Sequence, residues 1–174
     1  MDKLYAKAKA IKLLLLDVDG VLTNGNIFIN DHGIQELAFH IQDGLGIKLI
    51  QKTGITVGII TGRQSQVVQL RAQMLGITHL YQGNVDKRAA YQELRRSLNL
   101  TDAQIAFVGD DLPDLPLLQQ VGLSIAVANA RDYIKNQADW CTKAQGGQGA
   151  VREVCEFIMQ AQGTWDNLIR EFYV

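Results

Sequence analysis

The stretch Leu13-Leu14-Leu15-Leu16-Asp17-Val18-Asp19-Gly20-Val21-Leu22-Thr23 decides how this chain folds and where its chemistry lies. An apolar run interrupted only by Lys12 predicts a strand buried on both faces, as in the middle of a parallel sheet. Two aspartates follow it, so both carboxylates fall at the strand's C-terminal end, where open α/β sheets take their ligands. Carboxylates this close repel unless a positive charge intervenes. A hard divalent ion such as magnesium accepts carboxylate and backbone oxygens and leaves room for a phosphate, so the pair points to metal-assisted phosphoryl chemistry. An Asp-x-Asp stretch can also do no more than cap a turn, and the rest of the chain has to decide.

Downstream, Asn24-Gly25 and Asn30-Asp31-His32-Gly33 are turn signals around Ile27-Phe28-Ile29 and Ile34 to Phe39, which predicts a projecting β-hairpin. Asp43-Gly44 suits the cap of a helix running to about Lys52, and Ile55 to Ile60 reads as a second buried strand delivering Thr61-Gly62-Arg63 to the same sheet edge. Ser65 caps a helix with apolar positions Val67, Val68, Leu70, Met74 and Leu75, closed by Gly76. A short strand, Thr78 to Tyr81, follows; Asp86 then opens a helix through Leu98 with Lys87 in its first turn. Thr101 and Gln104 form a capping box for one further helical turn. The strand Ile105 to Val108 ends in Gly109-Asp110-Asp111, again acids at the C-terminal end of an apolar run. Leu123 to Val127 completes the strands, Arg131 to Gln137 reads as a short helix, and the loop Gly146-Gly147-Gln148-Gly149 leads into a helix from Ala150 to Gln160. Alternation of strand and helix predicts a doubly wound, Rossmann-like parallel α/β sheet.

Composition narrows the function classes. With 174 residues and 47% hydrophobic content the chain can bury one core, and no linker divides it, so residues 1–174 are expected to form one domain. A net charge of -1, with basic and acidic residues interspersed, offers no footprint for nucleic acid. The charged first ten residues and the short apolar run after them fit neither a membrane span nor a leader peptide, and the expectation is a soluble, cytoplasmic protein. Cys141 and Cys155 form no CxxC pair and read as buried free thiols.

Four strand ends thus direct Asp17 and Asp19, Thr61, Lys87, and Asp110 with Asp111 and Asp114 toward one crevice. Asp17 suits a nucleophile that accepts a phosphoryl group as an acyl phosphate. Asp19, two residues on and pointing the same way, suits the acid that protonates the leaving alkoxide and the base that later activates water. Thr61 can donate to a phosphoryl oxygen, and Lys87 offsets the gathered negative charge. Asp17, the backbone carbonyl of Asp19, and Asp110 make an all-oxygen magnesium shell.

In this order the motifs resemble those of the haloacid dehalogenase superfamily of phosphotransferases: DxDG(V/T) with a following Thr, a Ser or Thr ending the next strand, a Lys heading a helix, and GDDxxD, here Asp17 to Thr23, Thr61, Lys87, and Gly109 to Asp114. The spaces between Asp19 and Thr61 and between Lys87 and Asp110 leave no room for an inserted cap domain, so the resemblance is to the capless subgroup. Within it, Asp17 to Gly25, Gln42 to Ile47, Thr61 to Ser65, Arg71-Ala72 through Ile77, Tyr81-Gln82-Gly83 and Gly146 to Glu153 resemble the 3-deoxy-D-manno-octulosonate 8-phosphate phosphatase family, though Asn24 stands where that family often has Asp. The resemblance implies a magnesium-dependent homotetramer that releases the eight-carbon acid sugar of bacterial lipopolysaccharide.

A sugar phosphate that also bears a carboxylate suits guanidinium clamps. Gly62 and Arg63 beside Thr61, Arg71 on the next helix, His40 and Asp43 beyond the hairpin, and Arg152 after the glycine-rich loop are the expected substrate contacts, with Asp19 and Lys87. The alternatives are a phosphatase for another acidic sugar phosphate, such as a nine-carbon sugar acid 9-phosphate, and a non-catalytic phosphatase-like or receiver-like subunit. A receiver carries its phosphoacceptor at the end of the third strand, whereas here the Lys precedes the second acidic cluster. The Ile- and Phe-rich hairpin and the tail Trp165 to Val174 are expected to meet neighbouring subunits and roof the crevice.

Overall fold

The computed structural model describes residues 2–173; Met1 and Val174, which the readings of the first ten residues and of the tail included, lie outside the described residues. Six strands form one parallel sheet in the order β5-β4-β1-β6-β7-β8, from β1 (Leu13–Leu16), β4 (Thr56–Ile60), β5 (His79–Tyr81), β6 (Ile105–Gly109), β7 (Leu123–Ala126) and β8 (Trp140–Cys141). β1 lies inside the sheet and is apolar on both pleats: all four leucines are fully buried, and Leu13 pairs with Thr56 on one side and Ile105 on the other. Truncating any one of them to Ala is worth about 2–5 kcal/mol, the cost of lost burial plus an unfilled cavity.

Helices α1 (Asp2–Lys9), α2 (Ile41–Lys52), α7 (Ala150–Ala161) and α8 (Trp165–Arg170) pack together, while α3 (Gln66–Met74), α4 (Arg88–Ser97), α5 (Leu115–Leu118) and α6 (Asp132–Lys135) complete the helical layers. The Ser65 hydroxyl accepts from Val67 N at the start of α3, and the Gln104 side chain accepts from Thr101 N at a 3₁₀ turn over Asp102–Gln104, as their sequence signatures predict. Between β1 and β4 the chain forms only α2 and the hairpin β2 (Phe28–Ile29) with β3 (Gln35–Glu36), so nothing of cap size is inserted there. No helix among the described residues is long and apolar enough to cross a membrane.

Several local expectations are corrected. Asp43 does not cap α2, which begins at Ile41 with His40 in the cap position and no side-chain bond. Leu70 and Met74 face solvent, and α3 buries Val68 and Ala72 instead. Lys87 precedes α4 rather than lying in its first turn. The helix expected over Arg131 to Gln137 spans only Asp132–Lys135. The hairpin pairs only Phe28 with Glu36 and Ile29 with Gln35, and all four are exposed, so no core fixes a longer ladder.

Candidate active site

Because β1, β4 and β6 run parallel, their C-terminal ends open on one edge, and the residues that leave them converge there. Asp17 N still donates to Val108 O at 3.1 Å, so Asp17 continues the β1 ladder, and the chain then folds back as Val21, Leu22 and Thr23 N all donate to the Val18 carbonyl. Gly20 turns the loop with φ of +79°. A β-carbon at that position would lie 2.1 Å from Asp110 Oδ2, so the Asp110 carboxylate rests where any larger residue would put a side chain.

Lys87 is the buried charge of the site. It is 1% exposed, and its Nζ lies 2.7 Å from Asp17 Oδ1 and 2.5 Å from Asp114 Oδ1. Burial opposes its charge, but Asp17 and Asp114 outweigh that effect and hold its pKa above the ordinary lysine value. The second oxygen of Asp114 accepts from Asp110 N at 2.8 Å and Asp111 N at 3.2 Å, so this buried acid folds the acidic loop while it pins the lysine. Burial pushes Asp17 up to about 6 against the pull of Lys87, with Asp114 adding to the rise. Asp110 is pushed up to about 7 by burial and then by Asp114, Asp17 and Asp111.

Oxygens of Asp17, Asp110 and Asp114 lie within 4.8 Å of one another. Three carboxylates against one ammonium leave a net negative oxygen cluster, and burial followed by mutual repulsion raises the Asp17 and Asp110 carboxyls within it. An all-oxygen donor set of this kind fits a hard divalent cation. Asp114 belongs to this cluster but spends one oxygen on Lys87 and the other on the Asp110 and Asp111 amides; its place in GDDxxD was a signal, but its commitment to Lys87 was not readable.

These groups line a cleft of about 540 Å³ together with Asp19, Thr61, Gly62, Arg63 and, from the hairpin, Gln35. Thr61 is buried and its Oγ1 accepts from Arg63 N at 3.1 Å. Arg63 Nε donates to both Asp19 oxygens at 3.0 and 2.8 Å, and its Nη1 donates to Gln35 Oε1 at 3.0 Å. Asp19 therefore differs from Asp17: its carboxylate meets a guanidinium at the mouth, while that of Asp17 meets the ammonium in the floor.

His40, Asp43, Arg71 and Arg152 do not line this cleft. Arg71 Nη2 donates to the His40 carbonyl at 3.3 Å and its guanidinium lies 5.5 Å from the Phe39 ring. Asp43, 1% exposed, accepts from Arg152 N at 2.8 Å and Gly149 N at 3.3 Å, which makes it the tertiary cap of α7. Arg152 itself pairs with Glu156 and lies over Trp165. Of these side chains, that of Asp43 ties α2 to α7, while Arg71 reaches from α3 to the residue before α2.

A family model described as haloacid dehalogenase-like hydrolase matches residues 74–154. The chain is 47% identical over 161 residues to the 3-deoxy-D-manno-octulosonate 8-phosphate phosphatase KdsC of Escherichia coli K12, covering 92% of this chain and 86% of that protein. A crystal structure of the same phosphatase from Moraxella catarrhalis, in complex with magnesium ion, phosphate ion and a KDO molecule, is 44% identical with a TM-score of 0.97 and covers 99% of both chains. The cobalt-bound form of the Haemophilus influenzae phosphatase is 40% identical with a TM-score of 0.88, covering 91% of this chain and 93% of that one. With these motifs in these positions and identity of this order along nearly its whole length, the chain belongs to the 3-deoxy-D-manno-octulosonate 8-phosphate phosphatase family of haloacid dehalogenase-like hydrolases.

Proposed function

We propose that the protein hydrolyses 3-deoxy-D-manno-octulosonate 8-phosphate to the free sugar acid and phosphate, in the cytoplasm and in the service of lipopolysaccharide biosynthesis. The observation that carries this reading is the Asp17–Lys87–Asp114 cluster, with Asp110 beside it and Asp19 at the mouth of one cleft. Asp17, Asp110 and the Asp19 carbonyl hold magnesium, which when bound supplies charge neutralisation between carboxylates and phosphate. Asp17 attacks phosphorus, the bond from phosphorus to the sugar oxygen breaks, and the leaving alkoxide takes a proton from Asp19, giving an aspartyl phosphate. Asp19, now a carboxylate, takes a proton from water as that water attacks phosphorus; the bond to Asp17 breaks and phosphate leaves. Lys87 keeps the Asp17 oxygen it contacts oriented, and Thr61 with the neighbouring Gly62 backbone cradles the phosphoryl oxygens. Arg63 must release Asp19 before it protonates the leaving group, and the guanidinium so freed suits the anionic sugar acid.

A homotetramer is part of the proposal. Ile27, Phe28, Ile29 and Ile34 expose 44%, 57%, 64% and 57% of their surfaces beside the cleft, an apolar edge that a closed assembly would cover. The unpaired thiols of Cys141 and Cys155 support a reducing compartment. The test is phosphate release from a panel of phosphorylated acid sugars with magnesium. The eight-carbon substrate is expected to give the highest kcat/KM and Asp17→Asn no turnover. Higher kcat/KM for a nine-carbon acid sugar phosphate would overturn the substrate, and an active Asp17→Asn variant would overturn the mechanism.

A further inference from the structure

Asp17 and Asp110 sit on two different loops, and their spacing depends on whatever holds those loops together. A third segment does so. Just past β7, Arg131 N donates to the Asp110 carbonyl at 3.3 Å, and two residues earlier Asn129 Nδ2 donates to the Gly20 carbonyl, also at 3.3 Å. The other end of the same amide, Asn129 Oδ1, accepts from Gly146 N at 2.6 Å. Gly146 is pressed onto the same peptide: a β-carbon there would lie 1.6 Å from Gly20 O. The next residue, Gly147, donates its N–H to Val21 O at 2.9 Å. Asn129 is therefore the joint at which the nucleophile loop, the segment after β7 and the loop before α7 meet. Gly20 is also the residue on whose Cα the Asp110 carboxylate rests, so a slip of its peptide moves both the neighbouring Asp19 carbonyl and Asp110.

We propose that Asn129 is a positioning residue for the magnesium site: it fixes the Gly20 peptide and, through it, the place of the Asp19 carbonyl and the Asp110 carboxylate, without touching substrate. The inference rests on the functional reading above. An amide offers a donor and an acceptor at a fixed separation, which is what the two partners require. Aspartate at this position keeps the acceptor for Gly146 but sets an anion against the Gly20 carbonyl, and leucine loses both bonds. Because Asn129 is solvent-exposed, its replacement leaves no buried cavity, and the fold should survive.

The experiment is calorimetric titration of magnesium into the wild type, Asn129→Leu and Asn129→Asp without substrate, alongside the magnesium dependence of phosphate release. Outer partners of metal ligands are worth roughly 10–100-fold in affinity. Both variants are expected to bind magnesium at least ~10-fold more weakly, to recover most of their kcat at high magnesium, and to keep KM for the sugar phosphate within about twofold. A purely structural role would lower the melting temperature and leave the magnesium dissociation constant unchanged, and that result overturns the proposal. Should leucine unfold the chain, Asn129→Ser, which is smaller and retains one hydrogen-bonding group, carries the same test. The titration uses no sugar phosphate, so failure of the substrate assignment would appear only in the turnover assay and remain separable.

Discussion

Raising the pH of the metal-free protein should destabilise it, and Asp17 sets the scale. Burial, reinforced by Asp114 and opposed by Lys87, lifts its carboxyl from 3.8 to about 6 in the fold. Between those two values the folded state binds the proton that the unfolded chain has released, so stability is greatest at low pH and declines as pH climbs through 6. At about 1.4 kcal/mol per pH unit, the rise of Asp17 alone costs the folded state ~3 kcal/mol once its proton is gone. Asp110, lifted to about 7, extends the decline to higher pH, with a contribution reduced by its contact with solvent. In a chain of this length 1 kcal/mol moves the melting temperature by about 2–4 °C, so Asp17 corresponds to roughly 6–12 °C. The assay is thermal unfolding in chelator at pH 5, 6.5 and 8 for the wild type and Asp17→Asn, whose amide does not titrate. About half of the Asp17 cost is already incurred by pH 5, and the remaining ~1.4 kcal/mol falls between pH 5 and 8. The wild type should therefore lose ~3–6 °C more than the variant over this span, and saturating magnesium should restore more at pH 8 than at pH 5. Parallel pH slopes for the two proteins, or a wild type that gains relative to the variant as pH rises, would refute the reasoning.

Lys87→Met strips the ammonium from Asp17 and Asp114, and breaking a buried pair in this way should cost about 3–5 kcal/mol in a urea melt and lower kcat by ~10²-fold or more. Asp43→Ala removes the tertiary cap of α7 and should cost roughly 1–2 kcal/mol while KM stays within twofold; a tenfold rise in KM at unchanged stability would return Asp43 to the substrate. Gly146→Ala puts a methyl group 1.6 Å from Gly20 O, so this loop must shift and magnesium-dependent phosphate release should fall by at least ~10-fold. Sedimentation of a variant with Ile27→Lys and Ile29→Lys should show smaller species with reduced turnover, whereas an unchanged sedimentation coefficient would exclude the hairpin from the assembly.

The sequence by itself determined the elements whose signal is local and strong. Leu13 to Leu16, Ile55 to Ile60 and Ile105 to Val108 read as buried strands because an apolar run of strand length has few other places to go. Residues that leave those strands, Asp17, Thr61 and Asp110, followed into one cleft because parallel strands share an end. Elements held mainly by packing escaped the reading: the mostly polar α1, the two-residue β8 at the sheet edge, and the four-residue α5 with a proline inside it carry little periodicity. Leu70 and Met74 had helical spacing and still faced solvent, because α3 buries only a narrow stripe. Tertiary structure alone decided which partner each polar side chain took. Asp43 looked like the cap of its own helix and caps one that begins more than a hundred residues later. Arg71 stands against the carbonyl of His40, outside the catalytic cleft, and Asn129 joins two loops from opposite ends of the chain. Periodicity and propensity act over a few residues and so leave their mark in the sequence, whereas a hydrogen bond across a hundred residues forms only once packing has brought its two ends together.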